Sequence, residues 1–202
     1  MKNNFFKLRE LIAVAGFWRT FAYLFSIVPE RCGFGIIRIF LYDCEARLTE
    51  IASERSFKII KGMDQLADTQ IDSLRHYRGE KICSHFEKLF QRGCYCAIGC
   101  IKEQLGCVCW IIPLKNRTLL KGRTGFIIRQ SFTLPSMRGK GLYPATLNFL
   151  CGYLEKQYAE DLKIFIEATI FNYSALRSIE KTGFKNAGIA LMFFGLRIYL
   201  PS

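Results

Sequence analysis

The chain is 202 residues long, enough for one domain with a full core and too short for two of ordinary size. Half of its residues are apolar, which excludes a disordered chain, and 29 basic against 17 acidic side chains leave a net charge of +12. That excess favours an anionic partner (nucleic acid, lipid headgroups or a phosphate-rich cofactor), and charge alone does not choose among them.

Residues 1–50 stand apart from the rest. The stretch 11–28 is apolar except for Arg19 and a few small or weakly polar residues, with Lys2, Lys7 and Arg9 before it and Arg31, Arg38 and Arg47 after it. Its nine Leu, Ile, Val and Phe residues supply about −4 kcal/mol toward insertion in a bilayer. Arg19 near the centre returns about 3 kcal/mol of that, so the sum is close to zero. Eighteen residues is also the short limit for a span. Three readings stay open: a helix lying in an anionic membrane surface, a spanning helix, or a helix packed on the domain or on a dimer partner. The expected division is an apolar, basic extension over 1–50, with a second apolar stretch from Gly35 to Tyr42, followed by the domain proper over 51–202.

From residue 56 the pattern is α/β. Residues 56–60 predict a strand. Asp64 is placed to cap a helix running through Leu66, Ile71 and Leu74 and ended by Gly79. Ile82, Phe86, Leu89 and Phe90 mark a second helix, ended by Gly93. Strands over 94–100 and 106–112 flank a hairpin turn at 101–105, and 125–134 predicts a third long strand. A helix follows over 142–158, with Pro144 acceptable in its first turn. Lys163–Thr169 predicts a strand, and Tyr173–Lys181 a helix capped by Asn172 and ended by Gly183. The apolar tail over 184–200 fits two strands broken near Gly188 or Gly195. The order is β-α-α-β-β-β-α-β-α-β-β, a mixed α+β sheet. Its strand–helix–strand unit over 125–169 puts two strands parallel and a ligand crevice at their C-terminal ends.

The nine cysteines are an odd number, so they cannot all pair within the chain, and no cleavable leader is expected, since Arg19 interrupts the apolar run and no small-x-small site follows it cleanly. They read as reduced thiols in a reducing, cytoplasmic compartment. Cys94, Cys96, Cys100, Cys107 and Cys109 alternate along the two hairpin strands, which suits buried small hydrophobes and not a zinc site, so no metal is expected. His76 and His85 fall on the early helices and read as surface residues.

The run FTLPSMRGKGLYP over 132–144 is a strand, a basic glycine loop and a helix start. Free N–H groups and the positive dipole end of a helix make a cradle for anions. Gly139 and Gly141 let backbone approach a phosphate closely, and Arg138 and Lys140 add charge. Some thirty residues on, NYSALRSIEKTGF over 172–184 is a capped helix ending in Lys-x-Gly-Phe. The first run resembles the acetyl-CoA pyrophosphate loop of GNAT acyltransferases, with the pattern Gln/Arg-x-x-Gly-x-Gly/Ala, and the second resembles that family's Asn-led helix. The order of elements is similar over 56–200.

The resemblance implies an acyl-CoA-dependent N-acyltransferase fold and activity, with acetyl-CoA as co-substrate and an amine-bearing acceptor. It implies that the amides around Arg138, Gly139, Lys140, Gly141, Leu142 and Tyr143 hold the pyrophosphate. The strand edge at Phe132 and Leu134 would pair with the pantetheine arm, and one of those amides would polarise the thioester carbonyl. Asn172 would sit where that arm meets the splayed strands. The sequence departs from the family at two positions: Ser136 stands where the loop pattern has Gln or Arg, and Ile179 where many members have a tyrosine that protonates the leaving thiolate.

For the chemistry itself, Glu167 lies near the C-terminal end of its strand between apolar neighbours and is the candidate base. Tyr173, Ser174 and Tyr143 are the candidate proton donors to the thiolate. The expected reaction is direct attack of a primary amine on the thioester. The alternative is a catalytically silent module on the same fold, serving as a sensor or scaffold. Nucleic acid is the weakest partner, because no recognition helix, zinc finger or aromatic RNA-binding signature accompanies the charge.

Overall fold

The structure is a computed structural model that describes residues 34–42, 54–114, 125–158, 162–193 and 196–201. Its strands are β1 (Phe34–Tyr42), β2 (Arg55–Ile60), β3 (Tyr95–Ile101), β4 (Gln104–Pro113), β5 (Gly125–Thr133), β6 (Lys163–Thr169), β7 (Phe184–Phe193) and β8 (Leu196–Pro201). Its helices are α1 (Asp68–Arg78), α2 (Lys81–Gln91), α3 (Leu142–Gln157) and α4 (Tyr173–Lys181). The strands form one sheet in the order β2-β3-β4-β5-β6-β1-β7-β8. All neighbours are antiparallel except β5 and β6, which run parallel, as the strand–helix–strand pattern requires.

The predicted elements recur with small shifts. Asp64 does not cap α1: it lies in a separate 3-10 turn, Met63–Gln65, and α1 begins at Asp68, where Gln70 Oε1 accepts a bond from the Ala67 N–H at 3.3 Å. The hairpin turn is two residues, Lys102 and Glu103, both with positive φ. The break in the tail falls between Phe193 and Leu196.

The largest difference concerns β1. The boundary expected at residue 50 leaves Phe34–Tyr42 outside the domain, yet this strand lies inside the sheet, paired with β6 over Ile37–Leu41 and with β7 along its whole length. Ile37 and Ile39 are buried on one face and Phe40 on the other. Ile36 and the side chain of Arg38 on that second face stay exposed, and the strand reads as an apolar run broken only by Arg38, a pattern that membrane-directed sequence shares. The apolar stretch 11–28 lies outside the described residues. Among those described, no helix is long and apolar enough to cross a membrane.

Helix α3 packs across β3 and β4 because two glycines leave room for it. A Cβ on Gly99 would collide with Thr146 and Leu142, and one on Gly106 with Leu142 and Met137. Both contacts fall on the first turns of α3, so these glycines set where its N-terminus meets the sheet. On the opposite face Phe86 of α2 meets Trp110 of β4 edge-on and Phe90 meets it tilted, with centroids 4.8 and 5.0 Å away.

Candidate functional site

β5 and β6 pair only from Gly125 with Lys163 to Ile128 with Ile166, and beyond these residues the strands separate. β5 carries one extra residue there: Trp110 pairs with Arg129 and Val108 with Phe132, so Gln130 and Ser131 together oppose Cys109. Gln130 takes φ 50° in this bulge. Bulges re-aim side chains and leave backbone groups unpaired, and they are common beside active sites.

The backbone of the open edge is one residue out of phase with expectation. The Leu134 N–H donates to the Gly106 carbonyl at 2.8 Å, and the Leu134 carbonyl accepts from Met137 at 2.9 Å. Leu134 therefore has its N–H and its carbonyl each engaged by backbone partners. Antiparallel alternation turns Phe132 toward β4 as well and leaves Thr133, with Ser131 in the bulge, facing the gap. The Thr133 carbonyl there accepts from Arg138 Nε at 3.3 Å.

The loop behaves as its glycines suggest. Gly139 has φ 75° and Gly141 φ 66°, a region that L side chains avoid, and Gly141 is the N-cap of α3. No side chain caps that helix. Its first-turn amides and dipole are therefore open to an anion, with Pro144 lacking an N–H where it would least be missed. A Cβ on Gly139 would meet nothing, and one on Gly141 only the Arg55 guanidinium. The loop is shaped by conformation, not by crowding.

A cleft of about 630 Å3 runs from this loop to the gap between β5 and β6. Arg138, Gly139, Gly141, Leu142 and Tyr143 line one end, Ser131, Phe132 and Thr133 a wall, and Asn172, Ser174 and Ser178 of the α4 segment the facing wall. Asn172 both lines the cleft and caps α4, its Oδ1 accepting from the Ala175 N–H at 3.2 Å. Tyr173, the neighbouring candidate, is 59% exposed and is not part of this lining. Lys140 lines a different cavity.

Glu167 does not stand alone among apolar neighbours. Its Oε1 is 2.9 Å from Arg129 Nε, with side-chain exposures of 7% and 20%. Arg129 faces Trp110 across the ladder, so the pair emerges on the α1/α2 side of the sheet. Two further polar contacts line up on that side. His85 of α2 bonds Gln130 at 2.9 Å, and the Arg78 guanidinium sits 5.0 Å from the Phe132 ring. His76 remains an exposed residue that stacks edge-on with Tyr77. Neither Glu167 nor Arg129 lines the loop cleft, and the pair lies on the α1/α2 side of the sheet. His85 is exposed on α2 as expected, and the ion pair of Arg129 with Glu167 was not foreseen. The available signal was the polar break Arg-Gln in the otherwise apolar β5.

Ile179 is fully buried in the core, so no acid stands at that position. Tyr143 does reach the interior. Burial, and then Cys109 and Cys107 beside it, push its hydroxyl well above the usual tyrosine range, so it stays protonated. The Ser131 Oγ is buried near it without a well-directed hydrogen bond. Cys107 and Cys109 lie with sulfurs 3.9 Å apart. Burial raises Cys96, Cys100 and Cys109, whereas a bond with the Cys109 thiol lowers Cys107. Among the described residues no three His, Cys, Asp or Glu side chains gather as a metal site.

No family model matches the chain, and no curated protein is significantly similar to it. Among solved structures it is similar to a GNAT-family acetyltransferase from Colwellia psychrerythraea, at 16% identity and a TM-score of 0.56 over 79% of this chain and 56% of that one. It is also similar to an aminoglycoside acetyltransferase from an uncultured soil metagenomic sample, solved in complex with sisomicin, at 13% identity and a TM-score of 0.50 over 66% of this chain and 90% of that one. The chain spans little more than half the length of the Colwellia protein. The fold is that of the GNAT superfamily.

Proposed function

We propose that the chain transfers an acyl group, acetyl in the simplest case, from acyl-CoA to a primary amine. The observation that carries this reading is the uncapped Gly139–Gly141 turn opening onto a cleft walled by Ser131 and Thr133 of β5 and by Asn172 and Ser174. A bound acyl-CoA supplies the activated thioester. The amides of the loop and the first turn of α3, with Arg138, hold its pyrophosphate, and the Thr133 edge of β5 pairs with its arm. Glu167 takes the proton from the acceptor's ammonium group, and Arg129 holds the carboxylate in place. The amine nitrogen then bonds to the acyl carbon as the carbon–sulfur bond breaks. The thiolate is protonated from the cleft, where the Ser174 hydroxyl and the neutral Tyr143 hydroxyl are donors. The soil enzyme seen with sisomicin is consistent with an amine-bearing acceptor.

Replacing Glu167 with Gln is the residue-level test. The expected result is a fall of about 10²-fold or more in turnover with acetyl-CoA affinity nearly unchanged, because a base is lost and no phosphate contact is touched. Calorimetry and a steady-state assay separate the two quantities. Activity within about threefold of the parent excludes Glu167 as the base.

The cation-flanked stretch 11–28 supports placement at the inner, anionic face of a membrane. The full chain should co-sediment with anionic liposomes reversibly and release as salt rises. Indifference to liposomes at low salt removes that placement, and resistance to both high salt and alkaline carbonate indicates a spanning segment.

A further inference from the structure

Beside the loop cleft lies a second cavity of about 590 Å3, lined by Glu54, Arg55, Lys102, Met137 and Lys140 among others. Three parts of the chain distant in sequence meet there: the start of β2, the β3–β4 turn and the glycine loop. Arg55 Nη2 donates to the Lys140 carbonyl at 3.0 Å, and its guanidinium nitrogens lie 3.8 and 4.0 Å from where a Cβ on Gly141 would stand. A charge from the edge strand is thereby fixed against the anion-binding turn.

Lys102 is held there by an unusual turn. Lys102 and Glu103 have φ of 49° and 65°, a two-residue connection that favours Asn-Gly. The chain carries Lys-Glu instead and retains the strain. Strained residues persist where surrounding structure holds them, and they gather at ligand sites. Here the holding contacts are two: the Lys102 N–H donates to the Glu54 carbonyl at 3.1 Å, and Lys102 Nζ lies 3.3 Å from Glu54 Oε1. Three cations against one carboxylate leave the cavity positive, and a guanidinium forks onto phosphate oxygens.

We propose that this cavity is a second phosphate site, which holds the ribose 3′-phosphate of acyl-CoA while the loop holds the pyrophosphate. The proposal rests on the acyl-CoA reading above. The ribose phosphate is only a few bonds from the pyrophosphate, and Lys140 belongs to both the loop and the cavity. Arg55 is then a positioning residue for the loop and a ligand of the second phosphate. The site would make the chain prefer acyl-CoA over donors that carry the same thioester arm without a ribose phosphate.

The test is calorimetric titration of the full chain with CoA and with dephospho-CoA at low and moderate salt. CoA should bind about tenfold more tightly, and the gap should narrow as salt rises. Lys102→Asn removes the charge while suiting the turn, so its melting temperature should hold or rise while the preference falls to within about threefold. Arg55→Gln should weaken both ligands and CoA more. Glu54→Gln, which frees Lys102 from its carboxylate, should widen the gap. Equal affinity of the parent for both ligands overturns the second site and leaves the pyrophosphate loop standing. An unchanged preference in Lys102→Asn also overturns it. If neither ligand binds, the acyl-CoA reading falls with it.

Discussion

Removal of residues 1–50 should abolish folding of the domain. The cut takes out β1, which lies in the interior of the sheet with β6 on one side and β7 on the other. Ile37, Ile39 and Phe40 are 5%, 1% and 1% exposed, and burying each is worth about 1.5–3 kcal/mol. Their sum is comparable to the roughly 5–15 kcal/mol by which domains are stable at all. Loss of β1 would also leave β6 and β7 as unpaired edges that invite association with other chains. A chain beginning at residue 33 keeps every described strand and separates the loss of β1 from the loss of what precedes it. Thermal melts followed by far-ultraviolet circular dichroism decide the point. A cooperative transition for residues 51–202 within a few degrees of the full chain would show that β1 is dispensable.

Acetyl-CoA should raise the melting temperature of the full chain, and the double substitution Gly139→Val, Gly141→Val should erase that rise. Ligand at a hundred times its dissociation constant adds about 2.7 kcal/mol, which for a chain of this size is about 5–10 °C. Valine at φ 75° and 66° must either hold a conformation costing about 1–2 kcal/mol per residue or move the turn, and both outcomes spoil the cradle. The core should survive, because a Cβ at Gly139 meets no atom and one at Gly141 meets only the end of the Arg55 side chain. An unchanged ligand-induced shift in the double variant would remove the loop from the binding site.

What could be read in the sequence follows from the range over which each signal acts. The unit β5–loop–α3 and the capped helix α4 were legible because glycine, proline and asparagine write their conformations locally. The Asn172 cap and the positive φ of Gly139 and Gly141 are local in this sense. The role of β1 was not legible, since an apolar run broken only by Arg38 is the same text whether sheet, protein surface or lipid buries it. The outward direction of Thr133 was not legible either. Its direction depends on a bulge at Gln130 and on the bond from Leu134 to Gly106, both set by pairing with β4. For the same reason Glu167 was visible and its partner Arg129 was not: the two come together only where the parallel strands β5 and β6 end their register.

The central claim is that this cleft joins an acyl thioester to an amine, and it is tested most directly by release of free CoA thiol. The full chain is mixed with acetyl-CoA and a panel of primary amines, including amino sugars, aminoglycosides, polyamines and peptide amines, with each amine omitted in turn. The expected result is thiol release that depends on at least one amine, exceeds hydrolysis without it, and falls sharply in Glu167→Gln. Tight binding of acetyl-CoA with no amine-dependent release from any class would contradict catalysis and favour a silent binding module, in keeping with Ile179 in the core where the acid would stand.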